Sequence, residues 1–199
     1  MKGRAAPVAF RPQLSSLDSP VKHYDFAPKF RALYDQALGL YAKGQREAGT
    51  LFSANESAWL AANGLSAQNF YDYVEDHAEY GEPGPENALA IEIVRRDYFL
   101  TAQQGRPSGT VIDSTAMLGK SDAVRGIEWL PRLIPKAKAK LRGELPASLM
   151  YCCGGDRKFF RTHDIMPAEF LAVVWRHEKD DHAVVDWVVR RIASLKVGP

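Results

Sequence analysis

Two adjacent cysteines, followed by two glycines, an acid and two bases, stand in the segment LMYCCGGDRKFF at residues 149–160. A cysteine becomes a good nucleophile when nearby cations and the amide groups at a helix start stabilise its thiolate. Cys153 precedes a predicted helix start, Arg157 and Lys158 follow it closely, and His163 is a candidate base if folding brings it near. Cys153 is therefore the candidate catalytic residue. The alternative is a small buried apolar side chain, the usual state of a free cysteine.

The same segment could also hold an anion. Consecutive glycines let backbone N–H groups converge on a negative charge at a helix start, and the preceding segment WLPRLIPKAKAKLRGELP is rich in bases. A Walker phosphate-binding pattern is absent. The predicted ligand-binding residues are Arg132, Lys136, Lys140, Gly154, Gly155, Asp156, Arg157 and Lys158. The alternative is a solvated basic face, or bases that pair with acids of the first half of the chain.

Metal binding is not predicted, and no cofactor can be named. Adjacent cysteines lack the C-x-x-C spacing that brings two thiolates to one zinc ion. HEKDDH, at residues 177–182, has one residue too many for H-E-x-x-H. It falls where a loop should precede the last helix, with Asp180 or Asp181 as the cap. Asp72, Asp76 and Glu79 lie along one side of a predicted helix, where they could do acid–base work or simply face solvent.

The elements that must position these residues are predicted to be helical. Apolar residues recur at helical spacing from Phe26 to a stop near Gly44, and a short helix follows at about residues 56–63. Ser66 suits the cap of a helix to about residue 80, and Pro85 suits the first position of a helix to about residue 104.

The second half repeats this order at a spacing of one hundred residues. Phe170, Val174 and His177 fall on Phe70, Val74 and His77, and most matched positions suit a helical core. We predict an all-α protein of two tandem, internally duplicated helical repeats packed as one compact unit. Its predicted parts are an N-terminal tail at 1–25, a first repeat at 26–104, a connector at 105–127 and a second repeat at 128–199.

The repeat gives an internal control for the cysteine segment. CCGGDRKFF falls on FSANESAWL of the first repeat, so a turn at this place does not require thiols, glycines or bases. Asp156 is predicted to cap a helix beginning at Arg157, and the basic helix is predicted to begin close to Pro135, because proline does not suit a helix interior. Residues 119–161 hold ten bases and four acids, whereas residues 53–104 hold two bases and nine acids.

Composition places the chain among ordinary globular proteins. It has 46% hydrophobic residues and a net charge of +2, which gives no support for nucleic-acid binding. Two cysteines cannot form a disulfide framework, and no long apolar run predicts a membrane span or a secretory signal. We therefore expect a cytoplasmic protein, and a homo-oligomer stays open.

Four segments together resemble a bacterial family built on a domain of unknown function. They are GIEWLPRLIPKAKAKLRGELP, MYCCGGDRKFF, FYDYVEDH and VRRDYFL, and the resemblance covers most of residues 30–195. It implies that Cys153, Asp156 and Arg157 are the family's positions and that Cys152 falls on a variable one. Pro135 departs from the acid expected there. The family carries no established activity.

Two functions follow as hypotheses. In the first, the chain binds a small anionic ligand at the basic helix and the CGGDRK turn, with Cys153 as the thiol of an enzyme of unknown reaction. In the second, the acidic and basic halves make the chain a protein–protein interaction or scaffold module.

Overall fold

The computed structural model describes residues 22–196. The predicted N-terminal tail lies outside the described residues except for residues 22–25, as do the last three residues of the second repeat. Within the described range the chain forms eight α-helices and one antiparallel pair of short strands. In chain order these are α1 (Phe26–Ala42), α2 (Ala54–Ala62), α3 (Ala67–Tyr80), α4 (Pro85–Thr101), β1 (Ala123–Val124), β2 (Ile127–Glu128), α5 (Leu130–Arg142), α6 (Gly154–Thr162), α7 (Pro167–Arg176) and α8 (Asp181–Lys196).

Local signals explain where the helices of the first half begin. Ser53 caps α2, and its side chain and the Glu56 carboxylate each accept a backbone N–H of the other residue. The Ser66 hydroxyl accepts the Asn69 N–H at the start of α3, as predicted. Pro85 opens α4, also as predicted, because the first position of a helix needs no N–H donor.

The predicted start of the basic helix is wrong. α5 begins at Leu130, and Pro135 lies inside it. Proline removes one hydrogen bond, the one that the carbonyl of Pro131 would accept, and leaves the turns on either side intact. α5 continues through the proline because its apolar side, including Leu133 and Ala137, is fully buried.

Asp156 does not cap α6 as predicted. The helix begins at Gly154, and Cys153 occupies the capping position. Asp156 lies in the first turn, where its carboxylate accepts the Cys152 N–H at 2.8 Å. The prediction placed the helix start three residues late because Asp is a common capping residue. The predicted cap of the last helix is confirmed, since Asp180 accepts the Ala183 N–H at 3.1 Å.

Residues 105–127, the predicted connector, are mostly irregular but hold a short 3₁₀ turn at Ser114–Ala116 and the strand β1. β1 pairs with β2 through a two-residue turn, Arg125–Gly126, in which both residues have positive φ. This hairpin was not predicted, because two-residue strands are too short to show an alternating pattern.

α4 joins two hydrophobic clusters into one unit. Ala88 and Leu89, near its start, pack with α1, α2 and α3, whereas Ile91 and Tyr98 pack with α5, α6, α7 and α8. The described part of the chain is mostly helical, in agreement with the predicted class. α2 and α6 are nine residues each at an offset of one hundred, and α3 and α7 begin at the same offset. The internal duplication stays a prediction that this order favours. No helix among residues 22–196 is long and apolar enough to cross a membrane.

Candidate functional site around Cys153

Cys153 lies at the start of α6 and lines an open cleft of about 700 Å³. One wall of the cleft comes from α3, from Asp72 to Tyr80, and from Glu82, and the other comes from residues 147–150 and α6. The thiol is partly exposed, and the Lys136 ammonium donates a hydrogen bond to its Sγ at 3.2 Å. A partly exposed thiol therefore stands beside both a lysine and a helix start.

Lys136 reaches the thiol from inside the protein. Its side chain is 1% exposed and its Nζ lies 2.7 Å from Oδ2 of Asp156, which is also fully buried. Asp156 gathers two further donors: the Cys152 N–H on Oδ2 and the Trp129 indole N–H on Oδ1 at 2.9 Å. These contacts satisfy both buried charges and fix the distance between α5 and the start of α6.

Cys152 has the opposite environment from its neighbour. Its side chain is 1% exposed, and burial, with a smaller effect of the Asp156 carboxylate, raises the pKa of its thiol to about 12. The residue also has a left-handed φ of 71°, which a non-glycine residue seldom adopts. Cys152 is thus a protonated core side chain at neutral pH, whereas Cys153 lines the cleft.

Arg157 ties the start of α6 to α3. Its Nη1 donates to Asp76 Oδ2 at 2.6 Å and to the Cys152 carbonyl at 2.8 Å, and its Nε lies 3.5 Å from Glu82. Arg161, one turn further along α6, also pairs with Glu82. The predicted acidic and basic halves therefore meet within one chain, at the floor of the cleft.

Carboxylates outnumber cations in the lining of this cleft. Asp72, Glu75, Asp76 and Glu82 face Arg157 and Arg161. Burial raises the pKa of Asp72 to about 6, although the Gln68 amide, 2.6 Å from Oδ1, opposes the shift. A carboxyl group that titrates near pH 6 can give and take a proton under physiological conditions. Asp72 is one of the three carboxylates for which the sequence left open acid–base work or a position facing solvent.

The predicted ligand-binding residues do not all converge on Cys153. Gly154 and Arg157 line its cleft, whereas Lys136 and Asp156 are buried behind it. Lys140 lies 2.5 Å from Glu92 in the core and lines a second cleft.

The remaining predicted residues lie elsewhere around α6. Arg132 donates to the Leu118 carbonyl at 2.7 Å. Gly155 and Lys158 line a shallow depression that also contains His163. His163 ends α6, about 15 Å along the axis from Cys153, so it does not act as the predicted base.

Trp129 is the contact that sequence reasoning missed. Its indole ring lies over Gly155, where an added Cβ would come within 2.4 Å of ring carbons. Gly155 is thus required by packing, in addition to any part in ligand binding. Within residues 22–196, no cluster of three or more His, Cys, Asp or Glu is placed to hold a metal ion.

Fold and site together define a mostly helical protein with a cysteine–lysine contact at a helix start. Residues 116–196 match the model of a family described as Domain of unknown function (DUF5069). The match covers the cysteine segment and the basic helix but not residues 30–115, over which the resemblance also extends. No curated protein and no solved structure matches the chain.

Proposed function

We propose that the chain is a thiol-dependent enzyme, with Cys153 as its nucleophile, that binds a small ligand through an anionic group at the start of α6. One observation carries the proposal: the ammonium of a buried lysine donates to the Sγ of a cysteine that lines a cleft. Lysine and helix-start amides both stabilise a thiolate, and the thiolate is the nucleophilic form of cysteine.

The start of α6 also supplies the means to bind an anionic group. The first N–H groups of a helix have no acceptor within that helix and carry its positive dipole end. In α6 these groups belong to Gly154, Gly155 and Asp156, directly after Cys153. An oxyanion or carboxylate held there would lie beside the thiol, as covalent catalysis requires.

The other wall of the cleft sets a further requirement on the ligand. Arg157 is already paired with Asp76, whereas Asp72 and Glu75 have no cation bonded to them among the described residues. A ligand with negative charge alone would be repelled by these two carboxylates. We therefore propose a small zwitterionic ligand, its anionic group on α6 and its cationic group facing α3. Asp72 is the candidate for proton transfer.

Alkylation of the two cysteines tests the thiol assignment. Iodoacetamide labelling at pH 7, followed by peptide mass spectrometry, should modify Cys153 and leave Cys152 unmodified in the folded protein. The double variant K136M/D156N removes the ammonium without leaving an unpaired buried charge, and it should label Cys153 more slowly. K140M/E92Q, which neutralises the other buried pair of α5, is the matched control and should label at the wild-type rate.

A small panel of ligands tests the binding assignment. Zwitterionic amino acids, simple carboxylates and simple amines are compared for thermal stabilisation and for protection of Cys153 from iodoacetamide. Protection by the zwitterions alone, lost in D72N, would support the proposal. Equal labelling of Cys153 in wild type and K136M/D156N, with no protection by any member, would overturn it.

The scaffold hypothesis gains no contact of its own from the fold. The opposite charges that suggested it are bonded to each other inside the chain, as in Arg157–Asp76 and Lys140–Glu92. It stays a prediction, which native mass spectrometry at increasing salt concentration tests: oligomers held by exposed charges should dissociate.

A further inference from the structure

A second cleft, of about 260 Å³, opens where the start of α3, the end of α4 and the end of α5 meet. Its walls include Ser66 and Asn69 at the start of α3, and Arg95 of α4. This cleft shares no lining residue with the Cys153 cleft.

Arg95 is the unusual residue of this cleft. Its side chain is only 4% exposed, yet within residues 22–196 its guanidinium donates no hydrogen bond, and Nη1 is fully enclosed without an acceptor. The Phe99 ring, whose centre lies 5.3 Å from the guanidinium carbon, makes a cation–π contact with Arg95. Burial lowers the pKa of Arg95, although the nearby Glu92, Tyr98 and Glu144 oppose the shift. A buried cation without an acceptor is strongly destabilising, so this position calls for an anion.

Arg95 differs from the other two cations that line this cleft, because no carboxylate is bonded to it among residues 22–196. Lys140 and Arg142 also line the cleft, but each is already bonded to a carboxylate, Glu92 at 2.5 Å and Glu144 at 2.7 Å. Arg142 also lies 3.6 Å from Glu178, so carboxylates hold both of these cations, whereas the Arg95 guanidinium bonds none among the described residues. The dipole of the fourteen-residue helix α3 adds further positive potential at its start.

We propose that this cleft binds a small organic anion, a carboxylate or a phosphate ester, through the Arg95 guanidinium and the start of α3. Planar guanidinium pairs bidentately with carboxylate and phosphate oxygens. The apolar side chains of Leu65, Phe99 and Leu145 line the rest of the cleft and suit a short hydrocarbon body. This inference does not depend on the proposed role of Cys153.

Anion-dependent stability tests the site. Wild type, R95M and the control R106M are melted in sodium butyrate or sodium phosphate, with sodium chloride as reference at equal ionic strength. Arg106 is exposed and lies outside the lining, next to Pro107 of the cleft. Any general salting effect is common to all three proteins, so the difference between them reports the site.

Wild type and R106M should gain Tm with the logarithm of the anion concentration, and R95M should bind the anion about tenfold or more weakly. Without the anion, R95M should be at least as stable as wild type, because methionine removes an unpaired buried charge. Stronger stabilisation by butyrate than by phosphate assigns a carboxylate, and the reverse assigns a phosphate ester. Equal anion-dependent stabilisation of wild type and R95M would overturn the site.

A measurement on wild type alone decides the matter if R95M does not fold. Addition of butyrate or phosphate should shift the amide resonances of Leu65, Asn69 and Gly143, with those of Gly154 and Asp156 as the reference for the other cleft. Shifts confined to the start of α6 would overturn this site without affecting the proposal for Cys153. Unchanged spectra would overturn it as well.

Discussion

Asp156 is the single residue on which the geometry around Cys153 most depends. Trp129 and Cys152 both have left-handed backbone conformations, each of which costs a non-glycine residue about 1–2 kcal/mol. The Trp129 indole N–H, the Cys152 backbone N–H and the Lys136 ammonium all donate to the carboxylate of Asp156. The carboxylate thus holds two strained residues and one buried cation around the thiol.

The two glycines of the segment should respond differently to the same substitution. G155A places a methyl group against the indole of Trp129 and should lower the free energy of unfolding by about 1–3 kcal/mol. In G154A the added methyl group meets nothing closer than the Arg157 guanidinium at 3.8 Å. G154A should therefore change the free energy of unfolding by less than about 0.5 kcal/mol. Urea unfolding measures both, and a larger loss in G154A than in G155A would contradict the packing described above.

Asp72 should make stability depend on pH in a defined direction. Because burial raises its pKa from 3.8 to about 6, its contribution to stability is full below pH 3.8 and is lost as the pH rises through 6. D72N should therefore be more stable than wild type by about 1–2 kcal/mol at pH 7 and equal to it near pH 4. D76N, which removes the partner of Arg157, is the control and should be less stable at pH 7. A D72N gain of equal size at both pH values would contradict the assigned shift.

At the scale of the element, α5 carries two lysines into the core. Lys136 and Lys140, one turn apart, are 1% and 3% exposed, and each meets a carboxylate from another helix, α6 or α4. Hydrogen bonds and ion pairs together make this burial tolerable, and removal of one partner alone would leave an uncompensated charge. α5 is therefore a core helix whose charged residues connect it to its neighbours.

Pro135 should weaken α5, because a proline inside a helix removes one backbone hydrogen bond and crowds the preceding turn. P135A would restore one backbone hydrogen bond, to Pro131, while it adds freedom to the unfolded chain. The interior proline costs about 3 kcal/mol and the unfolded-state term offsets about 1 kcal/mol, so P135A should stabilise the protein by about 2 kcal/mol. Thermal unfolding of P135A against wild type measures this, and P131A is the control, because a proline at the helix start costs nothing. A lower Tm in P135A would show that the ring has a packing role.

The helices were predictable to the extent that their signals are local. Ser66, Pro85 and Asp180 could be identified as helix starts because the capping atoms lie within three residues of their partners. Cys153 and Arg157 were predicted as site residues from another local signal, a thiol and bases close in sequence near a helix start.

The burial of the two lysines could not be predicted. Their partners Asp156 and Glu92 lie 20 and 48 residues away in the sequence, and no periodicity links them. For the basic segment the sequence left open a ligand, solvent or pairing with acids of the first half. Lys140 pairs with Glu92 of the first half, whereas Lys136 pairs with Asp156 of its own half.

For the whole molecule, α4 makes the two halves interdependent. It supplies Glu92 to Lys140 and apolar side chains to the second hydrophobic cluster, and α3 supplies Asp76 to Arg157. The region that matches the family model, residues 116–196, contains neither α3 nor α4.

A fragment of residues 105–196 should consequently fail to fold alone. It would leave Lys140 and Arg157 without their carboxylates and would expose the faces of α5 and α7 that pack on α4. Circular dichroism should show reduced helix content and no cooperative thermal transition, whereas the full chain should unfold in one step. A cooperative transition in the fragment would show that the second half is an autonomous domain.

The fluorescence of the Trp129 indole should report on the charge of the Cys153 thiol. It shares the Asp156 carboxylate with Lys136, and Lys136 bonds to Cys153, so a change in the charge of the sulfur alters the field at the indole. The other three tryptophans lie at positions 59, 175 and 187, outside this set of contacts. In a protein that retains Trp129 as its sole tryptophan, emission wavelength and intensity would follow the ionisation and the covalent modification of Cys153 in real time, without an added dye.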